Sequence, residues 1–185
     1  MNRSVIVLWE DKLGRRRDFG PDRLLKACVG DALDRSWATI AHVSSRPMNG
    51  SGNVVRSLRQ DHEDLTRGGA LLIAVLDADQ AWRAVGCKRD ATDAELVTAI
   101  FPGGTPTDVH VLILRENLET VRDQLIRCAE QNGQPIAAHH REKSLNARDE
   151  LFGRSLGWTA SVRRCLVDSV PAFAALVALV AEVVR

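Results

Sequence analysis

The chain has 185 residues, 45% of them hydrophobic and 26% charged, with a net charge of +1. These values are those of one soluble globular domain with a core of its own. They exclude the global basic field that marks many nucleic-acid binders, leaving only local patches for that role. Arg3 is followed by a short apolar run before Glu10, too short for a signal peptide. The apolar stretch Ser169 to Ala181 falls short of the roughly 20 residues that span a bilayer. A cytoplasmic protein without a membrane span is the expectation.

Ser4 to Leu8 is apolar on both faces and predicts a strand, ending at Trp9-Glu10-Asp11. A charged turn, Lys12 to Gly20, holds Arg15-Arg16-Arg17. Pro21 then opens a helix whose stripe is Leu24, Leu25, Cys28, Val29 and Leu33. Ala38 to Val43 predicts a second strand, and Ser44 to Asn53 a loop of turn residues. Val54 to Leu65 reads as a helix closed by Gly68-Gly69. Ala70 to Leu76 is a third strand, running into Asp77-Ala78-Asp79. Gln80 to Val85 predicts a short helix, and Thr92-Asp93-Ala94-Glu95 is a capping box opening another. Val109 to Leu114 is a fourth strand, followed by a helix with Leu118, Val121, Leu125 and Cys128 on one stripe. Helices are expected at Asn146 to Leu156 and from Thr159 onward, broken near Pro171.

Strands alternating with helices in this way predict an α/β fold: a doubly wound, mainly four-stranded parallel sheet of Rossmann-like type with a C-terminal helical extension. One domain is expected over residues 1–185, with an α/β core at 1–130 and the extension at 131–185. The four cysteines, Cys28, Cys87, Cys128 and Cys165, lack zinc-ligand spacing and read as reduced, small core residues. His139-His140 reads as an exposed polar pair. Trp9, Trp37, Trp82 and Trp158 read as core or rim packing, with Trp82 placed to stack on a base.

Ligands of parallel sheets bind beyond the carboxyl ends of the strands. Glu10, Asp77, Asp79, Glu116 and Glu119 follow three of the four expected strands. Any one of them is an ordinary helix N-cap. Their recurrence argues instead for a shared cation, since crowded carboxylates repel one another unless neutralised.

Glu10 at the end of the first strand, Asp77-x-Asp79 at the end of the third, and the alternating order together resemble a Toprim domain, over roughly residues 4–130. That catalytic fold is shared by topoisomerases, bacterial-type primases, recombination-repair proteins and overcoming-lysogenisation-defect nucleases. The resemblance implies Glu10 as general acid/base or metal ligand, with Asp77 and Asp79 holding Mg²⁺ or Mn²⁺. Leu114-Arg115-Glu116-Asn117-Leu118-Glu119 is similar to the acidic segment of the nuclease branch, which implies Glu119, in preference to Glu116, as a further metal ligand. Lys143, in preference to Lys12, is expected to bring catalytic positive charge to the scissile phosphate.

The chain departs from the family at Asp11, where glycine is usual, and at Ala81, where many members carry a third aspartate. It has no tyrosine, which excludes a topoisomerase's nucleophile, and no zinc-ribbon cysteines, which counts against a primase. The resemblance therefore implies a Mg²⁺-dependent nuclease acting on DNA in preference to RNA, with Arg15, Arg16 and Arg17 on phosphates. Phage defence or DNA processing, a partner ATPase subunit and a homodimer through the apolar helix Ala172 to Val184 complete that expectation. Two other readings stand beside it. One is a catalytically inactive Toprim-like binding module. The other is a receiver-like signalling domain, whose acidic pocket Glu10, Asp11 and Asp77 imitate, although Arg115 stands where a receiver needs Ser or Thr.

Overall fold

A computed structural model of the chain describes residues 3–11, 19–115 and 117–185. The order begins with β1 (Val5–Trp9), α1 (Gly20–Ala32), β2 (Val43–Pro47), α2 (Ser51–Gln60) and α3 (His62–Thr66). It continues with β3 (Leu71–Asp77), α4 (Ala78–Val85), α5 (Asp93–Ile100) and β4 (Val109–Leu114). Four helices follow: α6 (Leu118–Gln131), α7 (Leu145–Arg154), α8 (Ala160–Ser169) and α9 (Pro171–Val184). Short 3₁₀ turns lie at Trp37–Thr39, Ala138–Arg141 and Ser155–Gly157.

The strands form one four-stranded, all-parallel sheet in the order β2-β1-β3-β4. This is the α/β fold expected, with C-terminal helices. The chain leaves β1 toward β2 on one side and returns to place β3 on the other. The strand order therefore reverses between β1 and β3, where a crevice opens at the carboxyl ends of such sheets. Register puts Trp9 opposite Val75 and Asp77 opposite Leu114, so Glu10 emerges beside the last turn of β3.

The second strand departs from expectation. Ala38 is in a 3₁₀ turn, and the strand is Val43–Pro47, made largely of residues that read as loop. As an edge strand it needs no apolar run: its burial alternates, and only Val43 is fully covered. The helix expected from Val54 to Leu65 is α2 and α3, separated at Asp61, whose carboxylate accepts from Ser57 Oγ at 2.7 Å. The capping box at Thr92 and Glu95 is present in both directions.

The chain divides into two compact units, Met1–Arg15 with His42–Arg115, and Arg16–Ala41 with Glu116–Arg185. In the first unit, Leu8, Leu72 and Leu76 pack with Val54, Val55 and Leu58 of α2, Ala81 of α4, and Leu96 and Ile100 of α5. Each large side chain so buried stabilises the fold by about 2 kcal/mol. Trp9 is fully buried, and its indole Nε1 donates to Ser45 Oγ at 3.0 Å across to β2.

In the second unit α1 packs on α7, α8 and α9, and α6 packs on α7 and α8. α9 buries Phe173, Leu176, Val177, Val180 and Val184 there. Arg163 of α8 is buried, and its charge is met by Asp31 of α1 and by the carbonyls of Ser155 and Trp158 at 2.7 and 2.8 Å. Trp37 is 43% exposed rather than packed. No described helix is long and apolar enough to cross a membrane by itself.

The cysteines are not all free. Cys128 of α6 and Cys165 of α8 are joined in a disulfide, with Cα atoms 5.7 Å apart. Side-by-side packing of the two helices brings the Cα atoms into the range of about 4.4–6.8 Å that a disulfide needs. That proximity is tertiary, so no sequence spacing announced it. Cys28 and Cys87 are free thiols.

Candidate functional site

Glu10 is the first residue beyond β1, and it is held from two sides. The backbone N–H of Asp77 donates to its Oε2 at 2.9 Å. The hydroxyl and N–H of Ser51 favour the charged form of the same carboxylate. Asp77 is the N-cap residue of α4 and Ser51 opens α2, so the carboxylate faces the start of two helices. Unsatisfied N–H groups and partial positive charge concentrate at helix starts, and an anion there supplies the missing acceptor. Neither helix has a side-chain cap from its own N-cap residue, which leaves that role to Glu10.

The loop between β2 and α2 is built to make this contact. The N–H groups of Met48, Asn49 and Gly50 donate to the carbonyls of Trp9, Asp11 and Glu10 at 2.8, 2.8 and 2.9 Å. Asn53 Nδ2 closes the loop on Met48 and Asn49 carbonyls at 2.8 and 3.2 Å. Gly50 has φ 109° and ψ 156°, a region open almost only to glycine. The loop is therefore a fixed clamp on the chain after β1. The amides of Met48, Asn49 and Gly50 are committed to Glu10 and its neighbours.

Burial is the main influence on Glu10 and raises its carboxyl above the ordinary range; the charge of Asp79 adds to that rise. The donors from Asp77 and Ser51 oppose it and lose. The site thus presents a half-buried carboxylate that holds a proton more readily than a surface acid, next to Asp77 and beside the exposed Asp79 in the first turn of α4. Oxygen-only donors of this kind suit a hard cation such as Mg²⁺, which commonly takes one or two carboxylates and completes its shell with water. Among the described residues, Glu10, Asp77 and Asp79 do not form a cluster in which all three carboxylates lie within 4.8 Å of one another. Asp11, the departure from glycine, is buried, and its carbonyl is the acceptor for Asn49.

No family model, curated protein or solved structure matches the chain. The site is read on its own geometry.

Other expected residues are distributed differently. Arg115, after β4, pairs with Asp93 of α5. Trp82 turns its indole back to the Asp79 carbonyl at 3.1 Å, with the Arg83 guanidinium 4.9 Å from its ring centre. Glu119 and Lys143 belong to the second unit. Glu119 lies in the first turn of α6, where its Oε1 accepts from Arg148 Nη1 at 3.1 Å. Lys143 is exposed in the turn before α7. Lys12, Arg15, Arg16, Arg17 and Glu116 lie outside the described residues.

Sequence reasoning missed two features. Ser51 and Gly50 hold Glu10, and only the Asn-Gly-Ser-Gly turn chemistry hinted that this loop was special. His139 and His140 do not form an exposed pair: His140 is 1% exposed, and both rings meet Glu150 of α7.

Proposed function

We propose that the chain is a Mg²⁺- or Mn²⁺-dependent phosphodiesterase of Toprim type, a nuclease acting on DNA in preference to RNA. The observation that carries this reading is the Glu10 carboxylate bridging to the Asp77 amide across the strand-order reversal, with Asp79 two residues on in the first turn of α4. Glu10, Asp77 and Asp79 would hold the ion, which when bound neutralises charge at the phosphate and acidifies a water.

The chain's own contribution is positional and acid–base. Ser51 and the Asp77 amide fix the Glu10 carboxylate, so it does not reorganise as charge develops nearby. Burial raises its carboxyl in the metal-free protein, which suits a general acid or base; as a ligand of the ion it would instead be ionised, so the two roles are alternatives. Glu119 is left out of the ligand set because Arg148 already holds its carboxylate. A catalytic role for Lys143, which belongs to the second unit, rests on the resemblance alone.

An assembly with an ATPase partner, in phage defence or DNA processing, remains part of the reading through the resemblance alone. A homodimer also remains part of the reading; Phe173, Leu176, Val177, Val180 and Val184 of α9, the helix expected to carry it, are buried. A cytoplasmic location sets the Cys128–Cys165 disulfide in a reducing thiol pool. A thiol count on protein extracted under acid quench distinguishes the bridged from the reduced form.

The test is cleavage of single- and double-stranded DNA and RNA with Mg²⁺ or Mn²⁺, beside Glu10→Gln and Asp77→Asn. Metal-dependent cutting that both variants lose is the expected result. Cutting that survives in both, or none with any substrate, contradicts the proposal.

A further inference from the structure

A second group of donors lies away from the acidic strand ends, entirely within the second unit. His139 and His140 occupy the 3₁₀ turn Ala138–Arg141, and Glu150 projects from α7. His139 Nε2 and His140 Nε2 approach the same oxygen, Glu150 Oε1, at 3.1 and 3.3 Å. The ring centres are 4.0 Å apart, and one ligand atom from each of the three residues lies within 4.8 Å of the others.

These spacings match coordination geometry. Donors about 2.1 Å from an ion at tetrahedral angles stand about 3.4 Å from one another. Two of the three edges already have that length, and the third lies within 4.8 Å. Two imidazoles and one carboxylate are a donor set of zinc-class ions, whereas Mg²⁺ prefers oxygen alone. Burial fixes the His140 ring, while Glu150 is 52% exposed on the side open to solvent.

We propose that His139 Nε2, His140 Nε2 and Glu150 Oε1 form a site for a zinc-class divalent ion, with a coordination position left to water. The proposal is independent of the Mg²⁺ reading at β1 and β3, because it uses other residues and another class of ion.

The surroundings set the expected strength. His140 Nδ1 is buried without a hydrogen-bond partner, so the acceptor that usually orients a ligating imidazole through its other nitrogen is missing. Such partners are worth about 10–100-fold in affinity. Arg154 Nε stands 3.8 Å from Glu150 Oε1, but its side chain is 58% exposed and can turn outward. A micromolar site follows, rather than the far tighter affinity of a structural zinc centre. Binding should rank Cu²⁺ above Zn²⁺ and Ni²⁺, and these above Mn²⁺.

Titration calorimetry with Zn²⁺ on the untagged chain carrying Cys87→Ser, which removes the free thiol outside the core, tests this. With Mg²⁺ in excess to occupy the carboxylates at β1 and β3, one equivalent should bind, and His139→Ala and Glu150→Gln should each weaken it by more than about tenfold. Both substitutions are at exposed side chains, and circular dichroism verifies folding; His139→Gln serves if alanine perturbs the turn. A tetrahedral Co²⁺ absorption spectrum, lost in Glu150→Gln, is the second expected readout. No Zn²⁺ uptake, or uptake unchanged in His139→Ala and Glu150→Gln, overturns the proposal.

Discussion

Reducing the Cys128–Cys165 bridge should loosen the second unit by an amount the chain itself sets. The bonded cysteines are 37 residues apart. In the chain-entropy picture, closing a loop of that length removes about 13 cal/mol/K from the unfolded ensemble, or about 4 kcal/mol at 25 °C. For a chain of this size each kcal/mol moves Tm by about 2–4 °C, so reduction should lower Tm by roughly 8–16 °C. Cys165→Ser should show the same loss without reductant, and adding reductant to that variant should change nothing further. Thiol titration supplies the parallel count. Burial pushes the Cys28 thiol up to about 12, so it stays protonated and unreactive while the protein is folded. Native oxidised protein should therefore react only at Cys87, denatured oxidised protein at Cys28 and Cys87, and reduced denatured protein at all four cysteines. Reaction of all four in denaturant without reductant, or a Tm indifferent to reductant, would refute the reasoning.

Glu10 should make stability depend on pH in an identifiable direction. Its folded carboxyl sits above the ordinary value of about 4.3, so the folded state keeps a proton that the unfolded chain has released. Stability contributed by this group is full below that ordinary value and falls as pH rises through the folded one. Melts in chelator from pH 4 upward should show the decline, and Glu10→Gln, which cannot ionise, should flatten it; an unchanged slope in the variant would sink the assignment. Gly50→Ala meets no atom within 4 Å, so its cost is backbone strain alone, about 1–3 kcal/mol. A denaturant midpoint unchanged by Gly50→Ala would show that the loop does not need its unusual dihedrals.

Apolar continuity made β3 and β4 legible in the sequence. β3 runs over Leu71–Asp77, within one residue of expectation, because its apolar run is buried on both faces; the edge strand β4 runs over Val109–Leu114 as expected, read from its apolar run although His110 is exposed. The helix starts at Pro21, Thr92 and Pro171 were readable for a local reason: capping and proline chemistry act within one turn. β2 was not readable, since an edge strand of Ser44, Ser45 and Arg46 carries no such pattern. The same distinction divides the site. The acidic positions stood out by their place after strands, but the clamp from Ser51 and the Asp77 amide is a tertiary contact. So are the meeting of His139, His140 and Glu150, and the pairing of Cys128 with Cys165. Contacts over ten or more residues of chain leave no periodicity behind.

The proposed function requires the carboxyl ends of β1 and β3 to form one divalent-cation site. Iron-mediated hydroxyl-radical cleavage of the polypeptide tests it most directly, with Fe²⁺ loaded into the folded protein and the cut sites mapped. The account predicts cuts near Glu10 and near Asp77, suppressed together by excess Mg²⁺ and absent in Asp77→Asn, whatever happens around His139 and Glu150. Absence of cutting at residues 10 and 77, or cutting there that excess Mg²⁺ leaves untouched, would contradict it.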